Sequence, residues 1–373
     1  MKKLRIAAFG FRTLPPAKGA AGADKFAMEL FPRLVSRGHS VVAYNRRYPD
    51  VHVDIKEYKG VQIKTIRTVQ RKGFDTLWHS FRSTMDIIFR NTADIVHIQN
   101  GGNSIWALPL RLFGKKVFVS QDGVDWKRDK WPWYGKVYLK LSSYISAWFP
   151  TNIIFDNVIA RQYFEKKFNK KFAFIPFGSE VAPVLENNAI LEKYGLEKGE
   201  YYLFVGRFIP DKGLHYLIPA FQQSGSAKKL VLIGGSPNPS GYEQEVHAMA
   251  GPGVVFAGFV YGDDVTRLML NAYCYIQPSD VEGLSPVVLT VMGLGVPLIV
   301  SDIEENIYAV QDTAITFSKA NPASLAEKIR YAEQHYPHML ELAENARQRA
   351  GKEFNWDTVT AQHEEIFSGN GKQ

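Results

Sequence analysis

The most informative residues for chemistry are two cations in a short loop. Residues 201–206 form an apolar run that ends at Gly206, and Arg207 and Lys212 follow before a helical pattern begins at Gly213. Arginine offers phosphate oxygens a planar, bidentate fork, whereas lysine offers a mobile point charge. Such a pair suits a departing diphosphate, whose negative charge grows as the bond to it breaks. The alternative is an ordinary solvated basic loop.

A second loop, residues 277–286, also lies between a predicted strand and a predicted helix. Ser285 suits the N-cap of that helix and Pro286 its first position. The free N–H groups at a helix start are a ready binding site for phosphate. Glu282, just before this start, can accept hydrogen bonds from sugar hydroxyls, although a lone glutamate is more often a surface carboxylate.

The composition is that of a globular protein with an affinity for anions. A chain of 373 residues exceeds the size of one ordinary core, so we expect two domains. The net charge of +8 favours anionic ligands, but the sequence has no zinc-finger spacing or RNP-like motif, so we expect no nucleic acid partner. The single cysteine favours a reducing compartment. Since we also find neither a secretory signal nor a membrane-spanning apolar run, we expect a cytoplasmic protein.

Strand-like and helix-like segments alternate along the chain, as is typical of α/β domains with parallel sheets. This alternation is interrupted at residues 176–183, which contain two prolines and read as a connector between domains. We therefore predict two doubly wound, Rossmann-like α/β domains facing a cleft, at residues 1–180 and 181–355, followed by a terminal helix at 356–373. The predicted strands are residues 3–10, 40–44, 61–66, 94–98, 116–120, 152–155, 172–175, 201–206, 229–233, 254–257, 274–277 and 298–300.

The C-terminal half resembles the retaining glycosyltransferase family four (glycosyltransferase group 1), which has the GT-B fold. Residues 206–207, 212–213, 232–235, 256–260 and 282–284 match this family's motifs in the family's order. The resemblance implies a nucleotide-diphosphate-sugar substrate, with Arg207 and Lys212 on the diphosphate and Glu282 on the transferred sugar. It also implies a terminal helix that crosses back to the first domain. The donor-binding residues that we expect are Gly22 in the glycine-rich first turn, Gly206, Gly235, Phe259 and Val260 near the base, Leu284, Ser285 and Thr290.

Thr290 is the one departure from the family's donor motif. The family usually carries a second glutamate eight positions after the first, where it binds the ribose of the donor. A threonine hydroxyl can still hydrogen-bond a ribose, but it is shorter and uncharged. Weaker nucleotide binding, a changed pose and an impaired enzyme all stay open.

Residues 1–180 resemble a domain found at the start of bacterial rhamnosyltransferase-like proteins, most specifically in the run 121–131. Asp122 follows a predicted strand and takes the place where many relatives carry a histidine of the catalytic region. A carboxylate there can deprotonate an acceptor hydroxyl or stabilise positive charge at the sugar carbon. The alternative is a turn-forming Asp-Gly pair. The resemblance implies polysaccharide assembly, with a glycan or polyprenyl-diphosphate-linked acceptor.

Aromatic and basic residues interleave between residues 126 and 140. This mixture suits the anionic surface of the inner membrane, where the protein would be peripheral on the cytoplasmic face. It suits acceptor sugars and a pyrophosphate equally well, and a lid packed by its own aromatic rings is the remaining alternative. The residues expected to contact acceptor or membrane are Trp126, Lys127, Arg128, Lys130 and Trp131.

The sequence thus predicts a retaining glycosyltransferase with Asp122, Arg207, Lys212 and Glu282 as catalytic residues. No two histidines have the spacing of ligands on one helix face, and residues 280–282 only imitate the acidic triplet of metal-dependent transferases, so we expect no metal and no other cofactor. Two alternatives stay open. One is a nucleotide-sugar epimerase of the same shape, and the other is a non-catalytic nucleotide-sugar-binding homologue.

Overall fold

The computed structural model describes residues 3–15, 22–47, 55–68, 74–121, 123–127, 131–179, 189–236 and 241–369. The chain divides into two compact units. Unit 1 combines Met1–Phe177 with Trp356–Gln373, and unit 2 is the continuous stretch Gly178–Asn355. Each unit contains one sheet, and the predicted pair of Rossmann-like α/β domains is confirmed.

Unit 1 is built on an eight-stranded sheet with the order β3-β4-β2-β1-β5-β6-β7-β8. Every strand pair is parallel except β3 with β4. The strands are β1 (Arg5–Phe9), β2 (Ser40–Arg47), β3 (Glu57–Tyr58), β4 (Val61–Arg67), β5 (Ile95–Gln99), β6 (Lys116–Gln121), β7 (Asn152–Phe155) and β8 (Ala173–Phe174). The helices between them are α1 (Gly22–Ser36), α2 (Phe74–Arg90), α3 (Ala107–Leu112), α4 (Trp133–Trp148) and α5 (Val158–Phe168).

Unit 2 is built on a six-stranded, fully parallel sheet with the order β11-β10-β9-β12-β13-β14. The strands are β9 (Tyr201–Arg207), β10 (Lys229–Gly235), β11 (Val254–Gly258), β12 (Cys274–Gln277), β13 (Leu298–Ser301) and β14 (Ile315–Phe317). The helices are α6 (Ala189–Lys193), α7 (Leu214–Ser224), α8 (Gly241–Ala248), α9 (Asp263–Leu270), α10 (Pro286–Leu294), α11 (Glu304–Val310), α12 (Pro322–Gln334) and α13 (Tyr336–Glu353).

The central strands of both sheets are mainly apolar, because parallel strands covered by helices are buried on both faces. In unit 1, β1 and β5 contribute Phe9, Val96 and Ile98 to the core, all fully buried. In unit 2, the core centres on Phe204 and Leu232 of β9 and β10. Among the described residues, no helix is long and apolar enough to cross a membrane.

The last helix, α14 (Trp356–Ser368), packs against α1 and belongs to unit 1. The ring of Trp356 is 2% exposed and lies in edge-on contact with Phe26 and Phe177, at centroid distances of 5.9 and 5.1 Å. On the next turns of the helix, the buried carboxylate of Glu364 accepts hydrogen bonds from Arg37 and His39. The helix is therefore an integral part of the core of unit 1.

We expect Trp356→Ala to destabilise unit 1 by about 3–5 kcal/mol, because truncating a buried tryptophan leaves a cavity. The measurement is the free energy of unfolding in urea, followed by circular dichroism. Trp133→Ala is the matched control, since that ring is 77% exposed and its loss should change stability little. Equal stability of the two variants would contradict the role of α14 in the core.

Candidate functional site

The carboxyl ends of β9 and β10 approach each other closely through glycines. Gly234 pairs with Gly206 in the register of the two strands, and it adopts φ +130°. A Cβ at Gly234 would lie 1.8 Å from the carbonyl oxygen of Gly206, so only glycine fits there. Arg207 follows directly and is exposed, with no hydrogen-bond or ion-pair partner for its guanidinium among the described residues.

The loop after β9 is fastened to the loop after β12. A 3₁₀ turn, Pro210–Lys212, ends at Gly213 with φ +67°. A Cβ at Gly213 would lie 2.1 Å from the carbonyl oxygen of Pro278, and the backbone N–H of Asp280 donates to the carbonyl of Asp211 over 2.9 Å. The two loops that the sequence singled out are therefore held side by side.

Glu282 is the centre of the resulting polar cluster. The ammonium of Lys212 donates to its Oε1 atom. The same oxygen accepts the amide of Gln277 over 2.5 Å and the hydroxyl of Ser279 over 2.8 Å. The side chains of Lys212 and Glu282 are 17% and 9% exposed, so the ion pair is largely shielded from water. Three donors on one carboxylate oxygen fix the orientation of Glu282.

Residues behind this cluster fix the donors in turn. The hydroxyl of Tyr275 donates to Oε1 of Gln277 over 2.7 Å, which turns the amide nitrogen of Gln277 towards Glu282. Burial, and then the negative charge of Glu282, raise the pKa of Tyr275, so this hydroxyl stays a neutral donor. Ser301 donates to the carbonyl of Ser279 over 2.6 Å.

Sequence reasoning missed Tyr275, Gln277 and Ser279 as parts of the site. The available signal was a polar residue, Gln277, at the end of an otherwise apolar strand, followed two residues later by a serine. Polar groups in buried positions need hydrogen-bond partners, and here the partner is the candidate site carboxylate.

The helix start that follows the cluster has the predicted cap. The Ser285 hydroxyl accepts the N–H of Val288, and Pro286 is the first residue of α10. Leu284 is buried, so its side chain packs inward. Thr290 is 8% exposed, and its hydroxyl donates to the carbonyl of Pro286 over 2.8 Å, one turn back along the helix.

Gly235 and Phe259 lie together on the other side of β9. A Cβ at Gly235 would lie 3.2 Å from the ring of Phe259, so the lack of a side chain lets the ring approach. Phe259 is about half exposed, Val260 is partly buried, and Tyr261 lies with its ring parallel to that of Phe259 at 6.1 Å. Tyr261 adds a second flat ring that the sequence analysis did not select.

The two acidic side chains of the loop have different partners. Asp280 interacts with the hydroxyl of Tyr216. Desolvation of the tyrosine, and then the negative charge of Asp280, raise the pKa of Tyr216. Glu282 is bound by Lys212. In the part of the chain that the structure describes, no group of three or more His, Cys, Asp or Glu is placed to hold a metal ion.

Three of the predicted site residues in unit 1 lie outside the described residues, namely Asp122, Arg128 and Lys130. Gly22 is the first residue of α1, and a Cβ added to it would meet no described atom within 4 Å. Trp126 and Lys127 lie in the 3₁₀ turn Asp125–Lys127. The Trp126 ring packs against Phe164 and Tyr163, so it helps to anchor this turn on α5. Trp131 is partly buried just before α4.

Part of each half of the chain matches a known protein family. Residues 186–349 match the family described as glycosyl transferases group 1. Residues 97–180 match a domain of unknown function, DUF1972. The two matches lie in the predicted second and first domains respectively.

Curated relatives are similar over part of their length. An uncharacterised glycosyltransferase of Methanocaldococcus jannaschii is 27% identical over 172 residues, 44% of either chain. The capsular polysaccharide biosynthesis glycosyltransferase CapM of Staphylococcus aureus is 25% identical over 193 residues, 49% of this chain and 50% of CapM. The O-antigen chain mannosyltransferase C of Escherichia coli is 31% identical over 109 residues, 29% of either chain. The chain thus spans half or less of the length of these relatives.

Solved structures share the fold over nearly the whole chain. Sucrose-phosphate synthase from Thermosynechococcus elongatus gives a TM-score of 0.82 at 19% identity and covers 98% of both chains. Anabaena HepE in complex with UDP gives 0.79 at 15% identity, covering 98% of this chain and all of that one. These structures place the chain in the GT-B fold. Within that fold, residues 186–349 match the glycosyl transferases group 1 family.

Proposed function

We propose that this protein is a retaining glycosyltransferase. It transfers a sugar from a nucleotide-diphosphate sugar to a glycan or lipid-linked glycan acceptor in bacterial polysaccharide assembly. The observation that carries the proposal is the fixed Lys212–Glu282 pair in unit 2. The loop of Lys212 also carries the exposed Arg207, whose guanidinium has no partner in the part of the chain that the structure describes. The names of the relatives support the pathway, and the complexes of HepE with UDP and with UDP-glucose support the donor class.

The charges of the cluster suit a diphosphate. Because Lys212 already neutralises Glu282, Arg207 supplies the positive charge that is left for a phosphate. An ammonium has three N–H donors, so Lys212 can keep its bond to Glu282 while it donates to a phosphate oxygen. The start of α10 adds backbone N–H groups and the positive end of the helix dipole. These fixed donors stabilise the charge of the leaving diphosphate without reorganisation.

The carboxylate suits the transferred sugar. Oε1 of Glu282 is taken up by Lys212, Gln277 and Ser279, and the Oε2 atom is the acceptor that remains for sugar hydroxyls. A neutralised, hydrogen-bonded carboxylate is a poor ligand for a divalent cation, and two cationic side chains serve the diphosphate instead. We therefore propose a metal-independent reaction.

The acceptor side of the proposal rests on unit 1. Asp122 is proposed to orient or deprotonate the acceptor hydroxyl. Trp126, Lys127, Arg128, Lys130 and Trp131 are proposed to contact the acceptor or the membrane surface on the cytoplasmic face.

The test is a binding and turnover screen with UDP-, GDP-, ADP-, CMP- and dTDP-sugars in the presence of EDTA. We expect one nucleotide class to bind with stoichiometry one, and its sugar to be transferred with retained anomeric configuration, as read by NMR. Conversion of the donor without any acceptor would favour an epimerase. Nucleotide binding without turnover of any donor would favour a non-catalytic homologue. Loss of all transfer in EDTA, restored by a divalent cation, would refute metal independence.

A further inference from the structure

Helix α4 exposes an apolar face that nothing in the described part of unit 1 covers. Trp133 and Trp148, at its two ends, are 77% and 59% exposed, and three more side chains lie at helical spacing between them. We call these five residues the α4 outer face: Trp133, Val137, Leu141, Tyr144 and Trp148. Two tryptophans and a tyrosine at this spacing form one continuous stripe along about four turns of helix.

The opposite face of α4 packs against the rest of unit 1. Ser142, Ser143, Ser146 and Ala147 are buried, and the helix packs against residues 101–106 and 125–127. Small side chains on the inner face let α4 lie close to these segments. Tyr144 of the outer face meets the core residue Phe168 edge-on at 5.2 Å, whereas Trp133 and Trp148 are mostly exposed and are not required for packing.

The net positive charge of the chain comes from the stretch of sequence that contains this helix. Residues 107–171 contain 13 Lys or Arg against 5 Asp or Glu, an excess of eight. The whole chain contains 45 against 37, which is the same excess. The rest of the chain is therefore balanced, and α4 itself contains two lysines and no acidic residue.

Lysines of α5 and of the loop after it lie directly on the aromatic rings of the outer face. The ammonium of Lys167 is 4.7 Å from the ring centroid of Tyr144, and that of Lys170 is 4.5 Å from Trp148. Lys140 of α4 and Lys166 of α5 are exposed as well. Cations next to interfacial tryptophan and tyrosine rings place positive charge at the depth of lipid headgroups while the rings reach the acyl boundary.

We propose that the α4 outer face binds an anionic lipid bilayer, with α4 lying in the plane of the interface. The five apolar side chains enter the boundary between headgroups and acyl chains, and the surrounding lysines pair with lipid phosphates. The inference deepens the proposed function by naming the surface on which a lipid-linked acceptor is met. It rests on that function for its biological purpose only, because bilayer binding is measured without turnover.

The experiment is co-sedimentation of the full chain with two kinds of vesicle, one of phosphatidylcholine and one of phosphatidylcholine mixed with phosphatidylglycerol. We expect sedimentation with the anionic vesicles, weakened by salt, and little with the neutral ones. Trp133→Ser with Trp148→Ser should weaken partitioning at least about tenfold, since each ring buries apolar area in the bilayer. Lys140→Gln with Lys166→Gln should weaken it about fivefold per lysine.

Matched controls come from unit 2, where Leu340→Ser removes a half-exposed apolar side chain and Lys198→Gln an exposed lysine. Both should bind vesicles like the wild type. Absence of vesicle binding by the wild type would overturn the proposal. So would serine variants that bind vesicles normally but lose a dimer seen by light scattering, because the face would then join two copies of this chain. Nucleotide binding, measured on the same variants, reports the proposed function separately.

Discussion

Lys212→Met should lower the turnover number of sugar transfer by about 10²–10³-fold, the usual effect of removing one preorganised stabiliser of transition-state charge. Methionine keeps the length and much of the volume of lysine but loses the ammonium that binds Glu282 and, in the proposed function, the leaving diphosphate. The KM for the donor should change less than the turnover number, because negative charge on the diphosphate is largest as the bond breaks. Steady-state kinetics with the donor found in the screen is the measurement.

Two comparisons separate this effect from a general loss of charge or fold. Lys198→Met removes an exposed lysine of the same unit and should leave transfer unchanged. Arg207→Lys keeps the positive charge but loses the bidentate fork, so it should fall between the wild type and Arg207→Ala. Near-normal transfer by Lys212→Met would show that Lys212 does not stabilise the leaving diphosphate.

Glu282→Gln should lower kcat/KM by about 10- to 100-fold, the range expected for losing hydrogen bonds to a charged group. The amide is nearly isosteric, but it presents an N–H₂ group where a carboxylate oxygen stood. The ammonium of Lys212 then loses its ionic partner, and the sugar hydroxyls lose a charged acceptor. Kinetics across donors that lack single hydroxyls would show which hydroxyl the carboxylate binds, since that donor should be insensitive to the substitution.

The control for Glu282 is Glu192→Gln, on the exposed side of α6, which should behave as the wild type. The double variant Lys212→Met with Glu282→Gln tests the pairing. If the two side chains act as one unit, the double variant loses little more activity than Lys212→Met alone. Fully additive losses would mean that the two residues act independently.

The fold could be read from the sequence because its strands are unusually clear. Residues 152–155 and 274–277 have the bounds that the apolar runs predict, and the glycines within the last residues of β9 and β10 mark the strand ends. The strands that the sequence did not reveal, β3 and β14, have two and three residues. Segments this short carry no periodicity, and their strand character comes from pairing with a neighbour.

The sequence predicts the charged residues of the candidate site but not the residues that orient them. Arg207, Lys212 and Glu282 stand in loops next to glycines, where residue type and position both indicate chemistry. The residues that orient Glu282 are different, because Gln277 and Tyr275 lie inside or at the end of a buried strand. Their role depends on the direction of one hydroxyl and one amide, and three-dimensional contacts alone decide that direction. Thr290 shows the same limit, since its hydroxyl turns back to its own helix.

The chain crosses between the two units twice, and the crossings are adjacent. Phe177 contacts Trp356 within unit 1, while Ser179 donates its N–H to the carbonyl of Phe354 and pairs with Asn355 within unit 2. Unit 2 is thus a continuous stretch inserted into the sequence of unit 1, and its first and last residues lie next to each other. Unit 1 is made of the two stretches on either side of it. Recombination at this junction can exchange residues 178–355 as a single cassette without cutting a strand of either sheet. Under the proposed function, donor preference and acceptor preference can therefore be inherited separately, so close relatives of one unit need not share the substrate of the other.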